Sequence, residues 1–154
     1  MNQIEQDIFW MGQALQQAEE ARLAQEVPVG AVLVKNNAVL AVGRNSSIES
    51  NDPTAHAEIV ALRHAGVRER NYRIVETTMY VTLEPCLMCV GALLHARVQR
   101  LVFATKDPKT GACGSMFDIL SMPVHNHEIV CHSGVLAGPC SQILRDFFRE
   151  RRQK

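Results

Sequence analysis

Residues 79–96 read MYVTLEPCLMCVGALLHA and join a short β-rich run directly to a helical pattern. Glu84-Pro85 ends the first run, and Cys86 through Ala96 form the second. Cys86 and Cys89 are three residues apart at the start of this helix, so their sulfurs share one face and the helix dipole favours thiolates. A strand that leads into a helix carrying two thiols predicts a ligand site at the edge of a sheet.

A second segment, DPTAHAEIVALRHAG at residues 52–66, contains a third candidate ligand. Asp52-Pro53-Thr54 is typical of a helix start, and we expect the helix to run from there to about Gly66. His56 with the two cysteines makes a ligand set known for catalytic zinc, which leaves one position to water. Glu58 lies roughly 200° around a helix from His56, which suits a carboxylate that moves protons rather than a ligand.

Each motif alone has another explanation. A single helical histidine is more often structural, and Cys-x-x-Cys is also found in redox pairs and in closed zinc sites. Here His56-Ala57-Glu58 and Pro85-Cys86-x-x-Cys89 occur together, in the order and the strand-helix context of the zinc deaminases. The combination favours a catalytic metal.

The first third of the chain predicts a helix and a hairpin. Apolar residues at spacings of three and four indicate an amphipathic helix that faces the core with Ile4, Ile8, Met11, Leu15 and Ala18. Two apolar runs, residues 29–34 and 38–42, flank a turn at Asn36-Asn37 and predict a β-hairpin.

The last third alternates strands with a final helix. Residues 100–104 predict a strand, residues 105–123 a polar loop, and residues 128–131 a weaker strand. A C-terminal helix is expected from the helical spacing of Ile143, Leu144, Phe147 and Phe148. Alternating strands and helices indicate a layered α/β domain, which we expect to span residues 1–154.

Composition restricts the classes of protein to consider. With 154 residues and 47% hydrophobic residues, the chain has the size of one globular domain, and no apolar run is long enough to cross a bilayer. The polar start at residues 1–7 does not resemble a secretory signal, and five cysteines are an odd number that favours a reducing compartment. We therefore expect a cytoplasmic protein that has no membrane partner.

Charge is balanced overall but uneven along the chain. Sixteen basic and sixteen acidic residues give zero net charge, which counts against a nucleic-acid partner. Only Asp146 and Glu150 oppose the basic residues near the C-terminus, so a local basic patch remains open. These basic residues are Arg145, Arg149, Arg151, Arg152 and Lys154.

The other cysteines and a histidine pair have simpler explanations. We expect Cys113, Cys131 and Cys140 to be packing or loop residues. His125-Asn126-His127 is expected to be an exposed loop rather than a second metal site, because no acidic or thiol partner accompanies it.

With both motifs identified, the chain resembles the cytidine deaminase-like superfamily, and within it the bacterial tRNA-specific adenosine deaminases. The resemblance covers nearly the whole chain and departs modestly at Val90 and Cys113. It rests on Glu26–Val32, Asn45, Asp52–Glu58, Tyr80–Cys86, Asp107–Gly111 and Asp146–Arg149.

The resemblance implies a three-layer α/β/α fold with a five-stranded mixed sheet, a homodimer, and one zinc ion per chain held by His56, Cys86 and Cys89. It also implies that Glu58 takes a proton from water and delivers it to N1 of the wobble adenine in a tRNA anticodon stem-loop. By the same resemblance, substrate binding would involve Val29, Asn45, Ala57, Glu84, Lys106, Asp107, Lys109, Phe148 and Arg149.

Two other functions remain open from the sequence. A deaminase of a free base or nucleotide, of the guanine, cytosine or deoxycytidylate type, has the same zinc pattern and agrees better with zero net charge. A non-catalytic zinc-stabilised RNA-binding protein would need a fourth protein ligand and would have no use for Glu58.

Overall fold

The computed structural model describes residues 1–123 and 125–153, and its centre is one mixed sheet. The strands found there are β1 (Gly30–Lys35), β2 (Ala38–Arg44), β3 (Thr78–Leu83), β4 (Arg100–Thr105) and β5 (Val130–Ser133). Their order across the sheet is β2-β1-β3-β4-β5. β1 is antiparallel to both neighbours, whereas β3, β4 and β5 are parallel. β2, β3 and β4 therefore all end at the same edge of the sheet.

The predicted hairpin is confirmed. Asn36 and Asn37 have φ angles of 53° and 57°, the two positive values that a type I′ turn requires. Asparagine tolerates this left-handed region better than most residues. The turn sets the register in which Lys35 pairs with Ala38.

Helices cover both faces of the sheet. They are α1 (Gln3–Leu23), α2 (Ala57–Glu69), α3 (Leu87–Ala96) and α4 (Ala137–Arg152). Alternate side chains of β1 divide between the faces: Ala31 and Leu33 pack with α2 and α3, whereas Val32 and Val34 pack with α1 and α4. The three-layer α/β/α architecture is thus confirmed.

The predicted buried face of α1 is wrong at its N-terminal end. Ile4 and Ile8 are 72% and 47% exposed, whereas Asp7 is buried. Arg100 donates to both oxygens of Asp7 over 2.7 and 2.6 Å, and the Tyr80 hydroxyl donates to the first of them over 2.7 Å. An ion pair with hydrogen bonds thus takes the place of apolar packing, and burial then continues at Met11, Ala14, Ala18 and Ala21.

Three element boundaries differ from the sequence predictions. α2 begins at Ala57 rather than near Asp52, because Asp52 Oδ1 accepts hydrogen bonds from the backbone N–H and hydroxyl of Thr54 and caps a separate turn. β5 lies two residues later than residues 128–131 and is mostly exposed. α4 begins well before its apolar residues and buries Phe147 but not Phe148.

Gly43 sets the distance between α2 and the sheet. A Cβ at this position would lie 2.3 Å from the Ala57 carbonyl oxygen and 2.6 Å from the Ala61 nitrogen. Gly43→Ala should push α2 away from β2 and lower the free energy of unfolding by about 1–3 kcal/mol. Urea unfolding measures this change.

The matched control is Gly12→Ala in α1, where an added Cβ meets nothing within 4 Å. Alanine favours a helix over glycine by about 1 kcal/mol, so this variant should be as stable as the parent or more so. A Gly43→Ala protein as stable as the parent would contradict the close approach of α2.

Candidate metal and catalytic site

Three predicted ligands meet where two helices begin at the same edge of the sheet. His56 and Cys86 are the N-cap residues of α2 and α3, and Cys89 lies in the first turn of α3. His56 Nδ1 is 3.6 Å from Cys86 Sγ and 3.5 Å from Cys89 Sγ. The three ligand atoms lie within 4.8 Å of one another, and no other described group of three or more ligand side chains is arranged in this way. The site can hold a metal ion.

The pKa values of the two thiols shift in opposite directions. The pKa of Cys86 is lowered to about 4, first by the hydrogen bond from Cys89 and then by His56, against the effect of burial. The pKa of Cys89 is raised, because its thiol donates to Cys86 and is buried. The hydrogen bond to Cys86 also raises the pKa of His56. A cation bound among these atoms would displace the remaining thiol proton, as metal binding to cysteine does in general.

Glu58 lies beside this group in the first turn of α2 and is only 4% exposed. Burial raises the pKa of Glu58 to about 7, although its own backbone N–H and nearby His56 oppose the rise. The Cys89 thiol also opposes the rise in the pKa of Glu58. Because His56 has extended backbone (ψ 156°) outside the helix, the 200° separation expected within a helix does not apply. A carboxyl with this pKa exchanges protons efficiently near neutral pH.

Asn45 is hydrogen-bonded to two other predicted substrate-binding residues, Val29 and Ala57. Its backbone N–H donates to the Val29 carbonyl over 3.1 Å, and its side-chain oxygen accepts from the Ala57 N–H over 2.8 Å. His56 makes no side-chain capping bond, so Asn45 caps α2 from the preceding loop. Because the side-chain oxygen of Asn45 accepts from the N-terminus of α2, the NH₂ group of this planar amide points away from that bond. The structure thus places Val29, Asn45 and Ala57 together beside the metal ligands.

Glu26 is a buried carboxylate whose role the sequence analysis missed. It is 2% exposed and accepts from the backbone N–H of Ile48 over 3.2 Å and of Glu49 over 2.7 Å. Glu26 thereby holds the loop that follows Asn45. The sequence signal was an acidic residue directly before the apolar run at residues 27–34.

Glu84 and Asp107 have their carboxylates engaged by the protein. Glu84 is 3% exposed and accepts from the backbone N–H groups of Asp107, Cys113 and Ser115, and from the Ser115 hydroxyl. Asp107 accepts from the N–H groups of Lys109 and Thr110 and from the Thr110 hydroxyl, so it caps its own turn. Their assignment to substrate binding stays a prediction, and Ser115 is a further residue that the sequence did not indicate.

A groove between the end of β4 and α4 joins Lys106, Phe148 and Arg149. We call it the basic groove; its volume is about 320 Å³. The residues that line it are Thr105, Lys106, Ser141, Leu144, Arg145, Phe148, Arg149 and Arg152. Lys109 is not among them, and Arg151 turns away to donate to the Gln25 carbonyl over 2.6 Å. Lys154 lies outside the described residues.

The remaining histidines and cysteines behave as packing and loop residues. Ring nitrogens of His125 and His127 lie 2.7 Å from the carbonyl oxygens of Ile119 and Val98, which fixes both rings on the backbone. Cys140 is fully buried between the helices and the sheet. Cys113 and Cys131 are partly buried against the opposite core cluster.

Comparisons with known proteins agree with this geometry. A family model described as MafB19-like deaminase matches residues 5–152. A tRNA-specific adenosine deaminase of Haemophilus influenzae is 50% identical over 145 residues, or 94% of this chain and 84% of that protein. This chain belongs to the tRNA-specific adenosine deaminase family.

Solved structures place this family member among deaminases of known fold. One comes from a study of A-to-I editing by tRNA:A34 deaminases at the wobble position of transfer RNA. It has a TM-score of 0.86 at 40% identity, covering 88% of this chain and 99% of that chain. A guanine deaminase from Nitrosomonas europaea, with a TM-score of 0.75 at 23% identity over 90% of this chain and 82% of that chain, shares the fold.

The geometry predicts one tightly bound metal ion per chain. Cys89→Ser should lose most of that metal, because a serine hydroxyl does not supply the thiolate that completes the set. Elemental analysis of the purified protein measures the metal. Cys140→Ala, which removes a buried thiol elsewhere, is the matched control and should retain it. Full metal content in Cys89→Ser would contradict this ligand set.

Proposed function

We propose that this chain, as a single domain spanning residues 1–154, hydrolyses the amino group of the wobble adenosine in a tRNA anticodon and leaves inosine. The observation that carries the proposal is the position of Glu58, buried beside His56, Cys86 and Cys89 at the start of two helices. A zinc-stabilised binding protein has no use for such a carboxylate. The Haemophilus influenzae tRNA-specific adenosine deaminase, half identical over most of the chain, supports adenosine as the base.

Zinc is the metal that fits the ligands. A tetrahedral zinc ion with bonds of about 2.3 Å to sulfur and about 2.0–2.1 Å to nitrogen separates those two atoms by about 3.6 Å. The corresponding distances here are 3.6 and 3.5 Å. Zinc bound by His56, Cys86 and Cys89 would acidify a water molecule in its fourth position. Because two thiolates neutralise its charge, a nearby base remains useful, and Glu58 is that base.

The chain's own groups account for the handling of protons and of the base. Glu58, with a pKa of about 7, accepts a proton on its carboxylate and returns it to N1 of adenine. Asn45, whose oxygen is fixed on Ala57, offers its N–H groups to an acceptor on the nucleoside. Val29, which is buried and hydrogen-bonded to Asn45, would contact the base beside it.

The basic groove favours RNA over a free base as substrate. Lys106, Arg145, Arg149 and Arg152 concentrate positive charge along one groove although the whole chain is neutral. Phosphates need such cations, whereas a free base does not. The exposed ring of Phe148 adds a surface on which an unpaired nucleotide can stack.

We also propose a homodimer and a cytoplasmic location, where tRNA is found. Apolar side chains between 36% and 53% exposed lie in the first turn of α3 and in the loop after residue 115, and a second copy would cover them. They are Leu87, Met88, Met116, Phe117 and Met122. Sedimentation equilibrium at micromolar concentration distinguishes dimer from monomer. No helix in residues 1–123 or 125–153 is long and apolar enough to span a membrane.

Glu58→Gln is the sharpest test of the reaction. Glutamine keeps the size of the side chain but cannot accept the proton, so single-turnover deamination should fall by about 10²- to 10⁴-fold. The substrate is an anticodon stem-loop with adenosine at the wobble position, and inosine is detected as G in complementary DNA. A stem-loop with its adenosine moved to a neighbouring position tests the choice of site.

The zinc content and RNA affinity of Glu58→Gln are measured on the same preparation and should equal those of the parent. Glu69→Gln, at the far end of α2, is the matched control and should keep full activity. Activity of Glu58→Gln within a few-fold of the parent would contradict the mechanism. Equal turnover of free nucleosides or bases and of the stem-loop would favour a small-molecule deaminase instead.

The basic groove predicts a specific dependence of RNA binding on salt. Each lost phosphate contact lowers the slope of log affinity against log salt by about 0.7 to 0.9. Arg149→Ala and Arg152→Ala should each weaken stem-loop binding and flatten that slope. Arg73→Ala removes an exposed cation outside the groove and serves as control. Equal slopes for all three variants and the parent would contradict the binding of RNA in the basic groove.

A further inference from the structure

We propose that Glu84 is a positioning residue that holds Lys106 in the basic groove, so that it strengthens RNA binding without contacting RNA. The inference rests on the proposed function, because it assigns the groove to phosphates of the substrate. It also gives Glu84 a different role from the substrate contact that the resemblance implies.

Glu84 is hydrogen-bonded to the residues on both sides of Lys106. The Glu84 backbone N–H donates to the Thr105 carbonyl over 2.9 Å, and Glu84 Oε1 accepts from the Asp107 N–H over 3.1 Å. The residues on both sides of Lys106 are therefore attached to one buried residue. Lys106 itself is exposed and lines the basic groove with Arg145 and Arg149.

The same carboxylate holds the returning part of the loop. Glu84 Oε2 accepts from the N–H groups of Cys113 and Ser115 over 2.9 and 3.1 Å. Next to Glu84, the Pro85 carbonyl accepts from the Ala112 N–H over 2.9 Å. Both ends of the loop thus depend on the short segment that leads into Cys86.

Gly111 shows how closely the loop is fitted to this carboxylate. A Cβ on Gly111 would lie 2.4 to 2.5 Å from the carboxyl carbon and both oxygens of Glu84. Any larger residue at 111 would displace the carboxylate from the N–H groups that it accepts from. The loop and Glu84 therefore form one closely packed unit.

The chemistry of the contact requires a carboxylate. Four donors converge on Glu84: three backbone N–H groups and the Ser115 hydroxyl. An ionised carboxylate offers acceptors on both oxygens, whereas an amide offers one acceptor and turns an NH₂ group toward the other donors. Glu84→Gln therefore keeps the volume of the side chain but loses the hydrogen bonds that one of the two carboxylate oxygens accepts.

The sign of the effect distinguishes positioning from simple charge. Removing a negative charge near a polyanion, taken alone, strengthens binding. Loss of the loop's shape moves Lys106 away from its phosphate and weakens binding. Weaker RNA binding by Glu84→Gln therefore supports positioning, and stronger binding overturns it.

The experiment measures stem-loop affinity of the zinc-loaded protein at several salt concentrations. Glu84→Gln should weaken binding several-fold and lower the slope of log affinity against log salt by about 0.7 to 0.9. Lys106→Ala should lower this slope by the same amount. The double variant should lower the slope no further than Lys106→Ala alone, because both changes remove one contact.

Two further variants keep the test decisive. Gly111→Ala disturbs the same contact from the loop side and should reproduce the loss of slope, even if Glu84→Gln folds poorly. Asp7→Asn alters a buried carboxylate bound to Arg100 and Tyr80, away from the loop, and should lower stability while leaving the slope unchanged.

An unchanged slope in folded Glu84→Gln and Gly111→Ala, or additive losses in the double variant, would overturn the role of Glu84. Failure of the parent protein to deaminate the stem-loop would instead refute the proposed function. The two failures are therefore distinguishable.

Discussion

The direction in which the strands run determines which chain segments meet at this site. Because β1 is antiparallel to both β2 and β3, those two strands run the same way, and β4 runs parallel to β3. The chain segments that follow these three strands therefore leave the sheet at one edge. The first carries Asn45 and His56, the second carries the two thiols, and the third carries Lys106. The His56, Cys86 and Cys89 side chains, Glu58 and the basic groove share one edge of the sheet because their strands end together, not because they are close in sequence.

Three buried glutamates at this edge serve different purposes because their surroundings differ. Glu26 and Glu84 each accept hydrogen bonds from neighbouring loops, so they act as fixed anchors. Burial raises the pKa of Glu58 to about 7. A carboxylate surrounded by donors from other segments is held in place, whereas one whose pKa burial raises to about 7 can exchange a proton near neutral pH. Burial alone does not make a glutamate catalytic.

Contiguous motifs made the grouping of His56, Cys86 and Cys89 predictable from sequence, since short spacings at helix starts carry their own geometry. Apolar, β-rich runs bounded by turn residues likewise predicted the hairpin and the central strands. The sequence could not reveal contacts between distant residues: Glu84 bonds to Ser115 across 31 positions, and Asp7 bonds to Arg100 across 93 positions. The edge strand β5 was placed imprecisely because three of its four residues are exposed and give no buried pattern.

The Asp7–Arg100 pair also bears on the order of events during synthesis. Its two members are 93 positions apart, and Tyr80, the third member, is 73 positions from Asp7. The first helix therefore leaves the ribosome with a carboxylate whose partners have not yet been translated. Burying that carboxylate without its partners is unfavourable, so complete docking of α1 requires β3 and β4. The packing of this helix therefore depends on strands that lie far downstream of it in the chain.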